Sequence, residues 1–161
     1  MRNICPSSNL AYSRSMWRIL FLVALVVADQ LTKLWARTSL VDGPIAITSN
    51  IKLQLLHNPG VAFSLPVPLN FTIILSIIFI GLLVKFIIER RNVGAAESVA
   101  VTLLTAGAIG NLIDRIAFRA VTDFVSVGNF PVFNVADAMI TISLLMVLVG
   151  GFLRETRGTD G

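Results

Sequence analysis

Six aspartates occur in this chain of 161 residues, and four of them fall in or at the ends of long apolar stretches: Asp29, Asp114, Asp123 and Asp137. Acidic side chains are costly in such surroundings and usually face a cavity or a partner. Two carboxyls a few ångströms apart cannot both ionise cheaply, so one keeps a proton. The ionised member can draw a proton from water while the protonated member donates to a carbonyl oxygen, a division of labour that suits amide hydrolysis. Such a pair titrates as a unit. Cys5 is the only cysteine and His57 the only histidine. No intrachain disulfide, cysteine-based metal site or His-rich metal centre can be built, and neither metal nor cofactor is expected.

Several neighbours of these aspartates are polar at helical spacing. Asn134 stands three residues before Asp137 and would share its helix face, to hold substrate backbone, orient the carboxylate or cap the helix. Asn111 stands three before Asp114, where a supporting hydrogen bond is expected. Asp29 and Lys33 are four apart, the spacing of an intrahelical ion pair. Asp114 and Arg115 suit either a structural ion pair or a substrate contact. Asn58 precedes Pro59-Gly60 and reads as a turn residue unless the site recruits it. His57 reads as solvated.

The elements that must position these residues are membrane helices. Hydrophobic residues make up 55% of the chain and charged residues 14%, with a mean hydropathy of +0.83. A soluble domain carries about 25% charged residues, so this composition lacks a water-facing surface. The net charge of +4 does not point to nucleic acid, because the basic residues flank apolar blocks as the positive-inside rule requires. Four stretches approach the ~20 residues that cross a bilayer: 16–35, 69–88, 95–117 and 135–153. Trp17 and Trp35 suit interfacial anchors. The third stretch is rich in small residues, and Ala106 and Gly110 form a small-xxx-small pair that admits close helix approach. Arg14 and Arg18 precede an apolar run over 19–28 that resembles a signal-peptide core. No small-x-small cleavage site follows it, and it reads as a retained first span.

Four spans put both termini on one side. Arg2, Arg14, Arg18, Lys85, Arg90, Arg91, Arg154 and Arg157 fall there, against Lys33, Arg37, Lys52, Arg115 and Arg119 opposite. Eight of the 13 basic residues on that side favour cytoplasmic termini. The outer segments are then 37–68 and 118–133. In the first, Ile51, Leu53 and Leu55 alternate with Lys52 and Gln54, the pattern of a half-buried strand. Gly43-Pro44 and Asn58-Pro59-Gly60 read as turns. The expected fold is therefore an all-α membrane protein, one domain over 1–161, with a small extracytoplasmic β-sheet segment between helices 1 and 2. At ~1.5 Å per residue, Asp29 lies roughly 18 Å beyond Trp17, Asp114 about 25 Å beyond Glu97, and Asp137 about 25 Å from Arg154. All three fall in the outer half of the membrane, with Asp123 in the outer loop.

Two other classes compete with an enzyme. An ion-coupled transporter would also hold buried carboxylates, but its site belongs near the midplane with access from both sides. A membrane scaffold gives no reason for four aspartates at one depth.

Five strings run in order through the four spans: Asp29-Gln30-Leu31-Thr32-Lys33, Asn58-Pro59-Gly60-Val61-Ala62-Phe63-Ser64, Gly110-Asn111-Leu112-Ile113-Asp114-Arg115, Val121-Thr122-Asp123-Phe124 and Phe133-Asn134-Val135-Ala136-Asp137. Together, over residues 16–153, they resemble the lipoprotein signal peptidase (signal peptidase II) family. The resemblance implies a four-helix aspartic endopeptidase of the bacterial inner membrane. Its substrates would be prolipoproteins whose cysteine carries diacylglycerol, cut just before that cysteine at the outer face. It places the catalytic dyad on Asp123 and Asp137, and the supporting polar positions on Asp29, Asn58, Asn111, Asp114, Arg115 and Asn134. It also implies inhibition by the cyclic peptide antibiotic globomycin. Departures are minor: Val61 stands where alanine is frequent, and Pro59 occupies a variable position. The short loop between Asp123 and Asp137 would narrow what the site admits.

Overall fold

The computed structural model describes residues 7–59, 68–89 and 94–158, with side chains from residue 16 to residue 151 within those limits. The residues 60–64 of the second string, and Arg2, Arg90 and Arg91 of the charge count, lie outside the described residues. The side chains of Arg14, Arg154 and Arg157 do so too. Four helices and three strands follow one another: α1 Ser7–Ser39, β1 Ile45–Ala46, β2 Ile51–Asn58, α2 Leu69–Glu89, α3 Ala95–Phe118, β3 Val121–Val127 and α4 Val135–Gly158. Among the described residues three helices are long and apolar enough to cross a membrane, over Met16–Ser39, Leu69–Glu89 and Ala95–Phe118. The expected fourth stretch is helical as well, and its described side chains, to Gly151, form an apolar helix.

The usual distribution of side chains is inverted. Large apolar residues point outward, among them Ile74, Ile78 and Leu82 of α2 and Leu145 and Leu148 of α4, while Asp29, Lys33, Asp114 and Asn134 are wholly buried. In a bilayer, outward apolar groups lose nothing, and inward polar groups must satisfy one another. Helix α3 is central and touches α1, α2 and α4. Its small residues make this possible. A Cβ on Gly107 would run into the Ala136 carbonyl and Ile140 of α4, and one on Gly110 would collide with the Asp29 carboxylate of α1.

The sheet corrects the sequence reading. It is antiparallel in the order β1-β2-β3, and its third strand comes from 118–133, the connection between α3 and α4 that the sequence suggested was a loop. β2 pairs β3 with Ile51 opposite Val127 and Leu56 opposite Asp123, and the register shifts between Leu53 and Leu56. Asp123 therefore sits within a strand rather than at a loop turn. The strand was hard to see because residues 121–124 are buried on both faces, so the polar Thr122 and Asp123 interrupt any alternation of buried and exposed positions. The sheet is seated by Ala36 and Leu40 of α1 and by Phe124, around which Leu53, Leu55, Val125 and Val135 pack. Trp35 meets Phe124 edge-on with ring centroids 6.4 Å apart.

Candidate active site

The start of α4 is where the site begins. Asn134 is its N-cap: the Asn134 side-chain oxygen accepts the Asp137 N–H at 2.9 Å, and Asp137 Oδ2 accepts the Asn134 N–H at 3.3 Å. This reciprocal pair is a capping box, which satisfies two backbone donors that a helix otherwise leaves orphaned. The Ala136 N–H between them donates to Asp29 Oδ1 of α1 at 2.9 Å. The residue types that cap the helix thus also fix the orientation of the Asp137 carboxylate.

Asp123 is brought to this helix end by β3. The Asn134 amide, its oxygen already committed, donates through Nδ2 to Asp123 Oδ1 at 2.7 Å. Asn58, at the end of β2, donates to Asp123 Oδ2 at 3.1 Å. Asn111 of α3 donates to Asp137 Oδ1 at 2.8 Å. Each carboxylate therefore accepts from two donors, and Asn134 touches both. The expected bond between Asn111 and Asp114 is replaced by this one, because Asp114 turns toward α1 and β3 and accepts the Thr122 N–H at 2.8 Å. Burial pushes the Asp123 carboxyl up to about 6, and the neighbouring Asp137 charge adds to the rise against the Asn58 and Asn134 donors and Lys33.

Behind the two carboxylates lies an ion cluster. Lys33 Nζ is 2.9 Å from Asp29 Oδ2 and 3.6 Å from Asp114 Oδ2, and it donates to Asn111 Oδ1 at 2.9 Å. Arg37 reaches Asp114 Oδ1 at 3.4 Å and Thr122 Oγ1 at 2.9 Å, with its guanidinium 4.2 Å from the Phe118 ring centroid. Gln30 bridges Asp29 and the Gly110 carbonyl. The sequence reading missed Arg37, Gln30 and Thr122. Arg37 could have been found, since Asp29, Lys33 and Arg37 recur every four residues on one face of α1. The intrahelical Asp29–Lys33 pair is present but forms only part of the cluster.

A groove of about 690 Å³ opens among α2, α3, α4 and the 130–133 segment. Asn58, Asn111, Arg115, Asp123 and Asp137 line it; Asp29, Lys33 and Asp114 do not. Its remaining walls are largely apolar, including Phe79, Leu104, Val121, Phe130, Phe133 and Ile140, with Ser76 and Thr141 the hydroxyl-bearing residues. Arg115 donates to the Asn111 carbonyl at 3.4 Å, while its buried Nε has no hydrogen-bond partner among the described residues. His57 is exposed on β2. Among the described residues no group of three or more His, Cys, Asp or Glu could hold a metal ion.

Carboxylates lining a cleft between apolar helices belong to a membrane-embedded enzyme, multi-pass in its topology. The family model described as signal peptidase (SPase) II matches residues 21–153, and the chain belongs to that family. It is 37% identical over 143 residues to the lipoprotein signal peptidase of Hydrogenovibrio crunogenus, covering 83% of each chain. Its identity to the lipoprotein signal peptidase of Clostridium tetani is 30% over 139 residues, covering 81% of this chain and 89% of that one. A solved structure described as a bacterial membrane enzyme at 2.3 Å resolution superposes with a TM-score of 0.77 at 32% identity, covering 86% of this chain and 88% of that one.

Proposed function

We propose that this peptidase removes the signal peptide from diacylglyceryl-modified prolipoproteins in the bacterial inner membrane, using Asp123 and Asp137 as the dyad that activates water. The observation that carries the reading is the single Asn134 side chain and cap that hold both carboxylates at the polar end of an apolar groove. In the reaction, the ionised carboxylate takes a proton from water as the water oxygen bonds to the scissile carbonyl carbon. The other carboxyl gives its proton to the carbonyl oxygen, forming a gem-diol. When the C–N bond breaks, the leaving amine collects the first proton, and the second returns from a diol hydroxyl to the carboxyl that gave it. Asn58 and Arg115, both on the groove wall, are proposed to hold substrate backbone. Asp29, Lys33 and Asp114 act from behind it. Globomycin is proposed to occupy the same groove.

The proposed topology has four spans, with α4 as the fourth, both termini in the cytoplasm and the dyad toward the extracytoplasmic face. The whole of 1–161 is then one domain. A diacylglyceryl chain can stay in the bilayer while the peptide lies in the groove, which avoids exposing acyl chains to water at a cost of ~0.8 kcal/mol per CH₂. The lipid thereby fixes the depth of the bond before the modified cysteine. Purified protein should cut lipidated preprotein and cut the same preprotein poorly without lipid, and reporter fusions should place Ser49 outside and Arg91 inside. Equal cleavage of both substrates, or the opposite reporter pattern, would overturn the depth argument.

Because the mechanism draws only on carboxylates and water, cleavage should be unaffected by EDTA. Inhibition that added zinc reverses would remove the dyad assignment.

A further inference from the structure

Lys33 is completely buried and does not line the groove. Its charge acts on Asp123 through space, and it is joined to Asp137 by way of another side chain. That link is Asn111. Lysine can only donate, so the Asn111 atom 2.9 Å from Nζ must be its carbonyl oxygen. The same oxygen accepts from Asn134 Nδ2 at 3.2 Å, whose own orientation is fixed by the Asp137 N–H. With its oxygen held by two donors, Asn111 can present only N–H to Asp137, at 2.8 Å. Asp137 Oδ1 is thus bound to face a donor that a cation holds in place. Asp137 also stands in the first turn of α4, where the helix macrodipole favours negative charge. Asp123 has neither advantage. It lies 2% exposed on a strand, and its donors are the uncharged amides of Asn58 and Asn134.

We propose that Lys33 is a positioning residue that makes the dyad asymmetric: acting through Asn111, it holds Asp137 as the ionised, water-activating carboxylate and leaves the resting proton on Asp123. The inference rests on the peptidase reading above and assigns the two roles within it. The charged groups around Asp137 are consistent with it. Arg115 of α3 interacts with Asp137 more strongly than with Asp123 or Asp114, which favours the same assignment. From α1, Lys33 is the cation in reach, with Asp29 and Asp114 as its counter-charges. Asp29 also reaches the first turn of α4 through the Ala136 N–H and opposes charge on Asp137. The facing residue on β3 is Asp123 itself, and β2 supplies the neutral Asn58. At Asp123, burial and the Asp137 charge raise the carboxyl, and Lys33 acts there in the opposite direction without cancelling the rise.

The test is the pH profile of kcat on lipidated preprotein in detergent, for wild type and two variants. Lys33→Met combined with Asp29→Asn removes the cation together with one of its counter-charges, so that net charge is unchanged. Asn111→Asp keeps the side-chain volume and the contact with Lys33 but sets an acceptor against Asp137. On the acid side, activity is lost as the ionised member of the pair takes up a proton. Anything that disfavours its charge moves that limb to higher pH. In both variants the acid limb should move up by about one pH unit, a tenfold loss at a fixed acidic pH, with KM little changed. An unmoved limb in a folded variant, with or without a uniform fall in kcat, would make Lys33 a structural strut only and overturn the proposal. Should the double variant fail to fold, Asn111→Asp decides alone. An Asp123→Asn control separates the two readings. If wild type does not cleave, or that control still does, the dyad reading fails, whereas loss in the control with unmoved limbs sinks only the assignment of roles.

Discussion

Asp123→Asn and Asp137→Asn should each lower kcat on lipidated preprotein by on the order of 10³-fold or more, because each removes one half of the acid–base exchange. An amide can neither accept the proton of water nor pass one to the carbonyl. The local structure should survive both changes. At position 137 the new side-chain oxygen can still accept the Asn134 N–H and keep the capping box that starts α4, while its amide nitrogen meets the Asn111 N–H, a local penalty confined to that contact. At position 123 the substitution sets one amide nitrogen against Asn58 or Asn134, a local penalty that rotation of Asn58 at the strand end can relieve. Single-turnover cleavage in detergent, read beside the thermal unfolding midpoint, separates loss of chemistry from loss of fold. Near-wild-type turnover by either folded variant would remove that residue from the mechanism.

The second large effect concerns stability. Asp114 is wholly buried, and it compensates Lys33 and Arg37 while accepting the backbone N–H of Thr122. Asp114→Leu keeps the bulk but leaves a buried ammonium with one counter-ion and strands a backbone donor of β3. Breaking a buried ion pair from one side costs about 3–5 kcal/mol, which is comparable to much of a domain's total stability. The variant should unfold at distinctly lower denaturant than wild type. A midpoint within experimental error of wild type would show that Asp29 and water replace the carboxylate without cost. Asp114→Asn, which keeps an acceptor for Thr122, should fall between the two.

The helices could be read from the sequence because a bilayer imposes a simple rule: about 20 apolar residues make a span, and 69–88 and 95–117 differ from α2 and α3 by a residue at each place where they differ at all. The first helix begins earlier than 16, since Ser7 onward is helical without being apolar enough to count. The sheet was half visible. Strand β2 alternates apolar and polar residues over 51–55, although Gln54 is half-buried like its neighbours, while β3 is largely covered on both faces and carries polar residues whose partners are far away in sequence. The same reason explains the site. That Asp29 and Lys33 pair could be inferred from their four-residue spacing. That Asn111 serves Asp137 could not, since the two are 26 positions apart, and local periodicity pointed instead to Asp114. Spacing finds partners on one helix; contacts between helices need the fold.

The Asp29–Lys33 pair also bears on how the chain is made. Helix α1 leaves the ribosome long before α3, and Lys33 is 78 positions ahead of Asn111. When α1 first meets the lipid, neither Asn111 nor Asp114 yet exists. A lone lysine or aspartate costs an inserting helix up to about 2.5–3.5 kcal/mol on insertion scales, the full figure applying at its centre and less toward the end where Lys33 lies. By carrying the opposite charge one turn away, at 2.9 Å, α1 brings its own counter-ion and can partition as a nearly neutral segment. Later, the pair is opened to new partners: Asp29 turns one oxygen to the first turn of α4, and Lys33 extends to α3. One ion pair is thus a chaperone of insertion early in synthesis and a joint between three helices at its end.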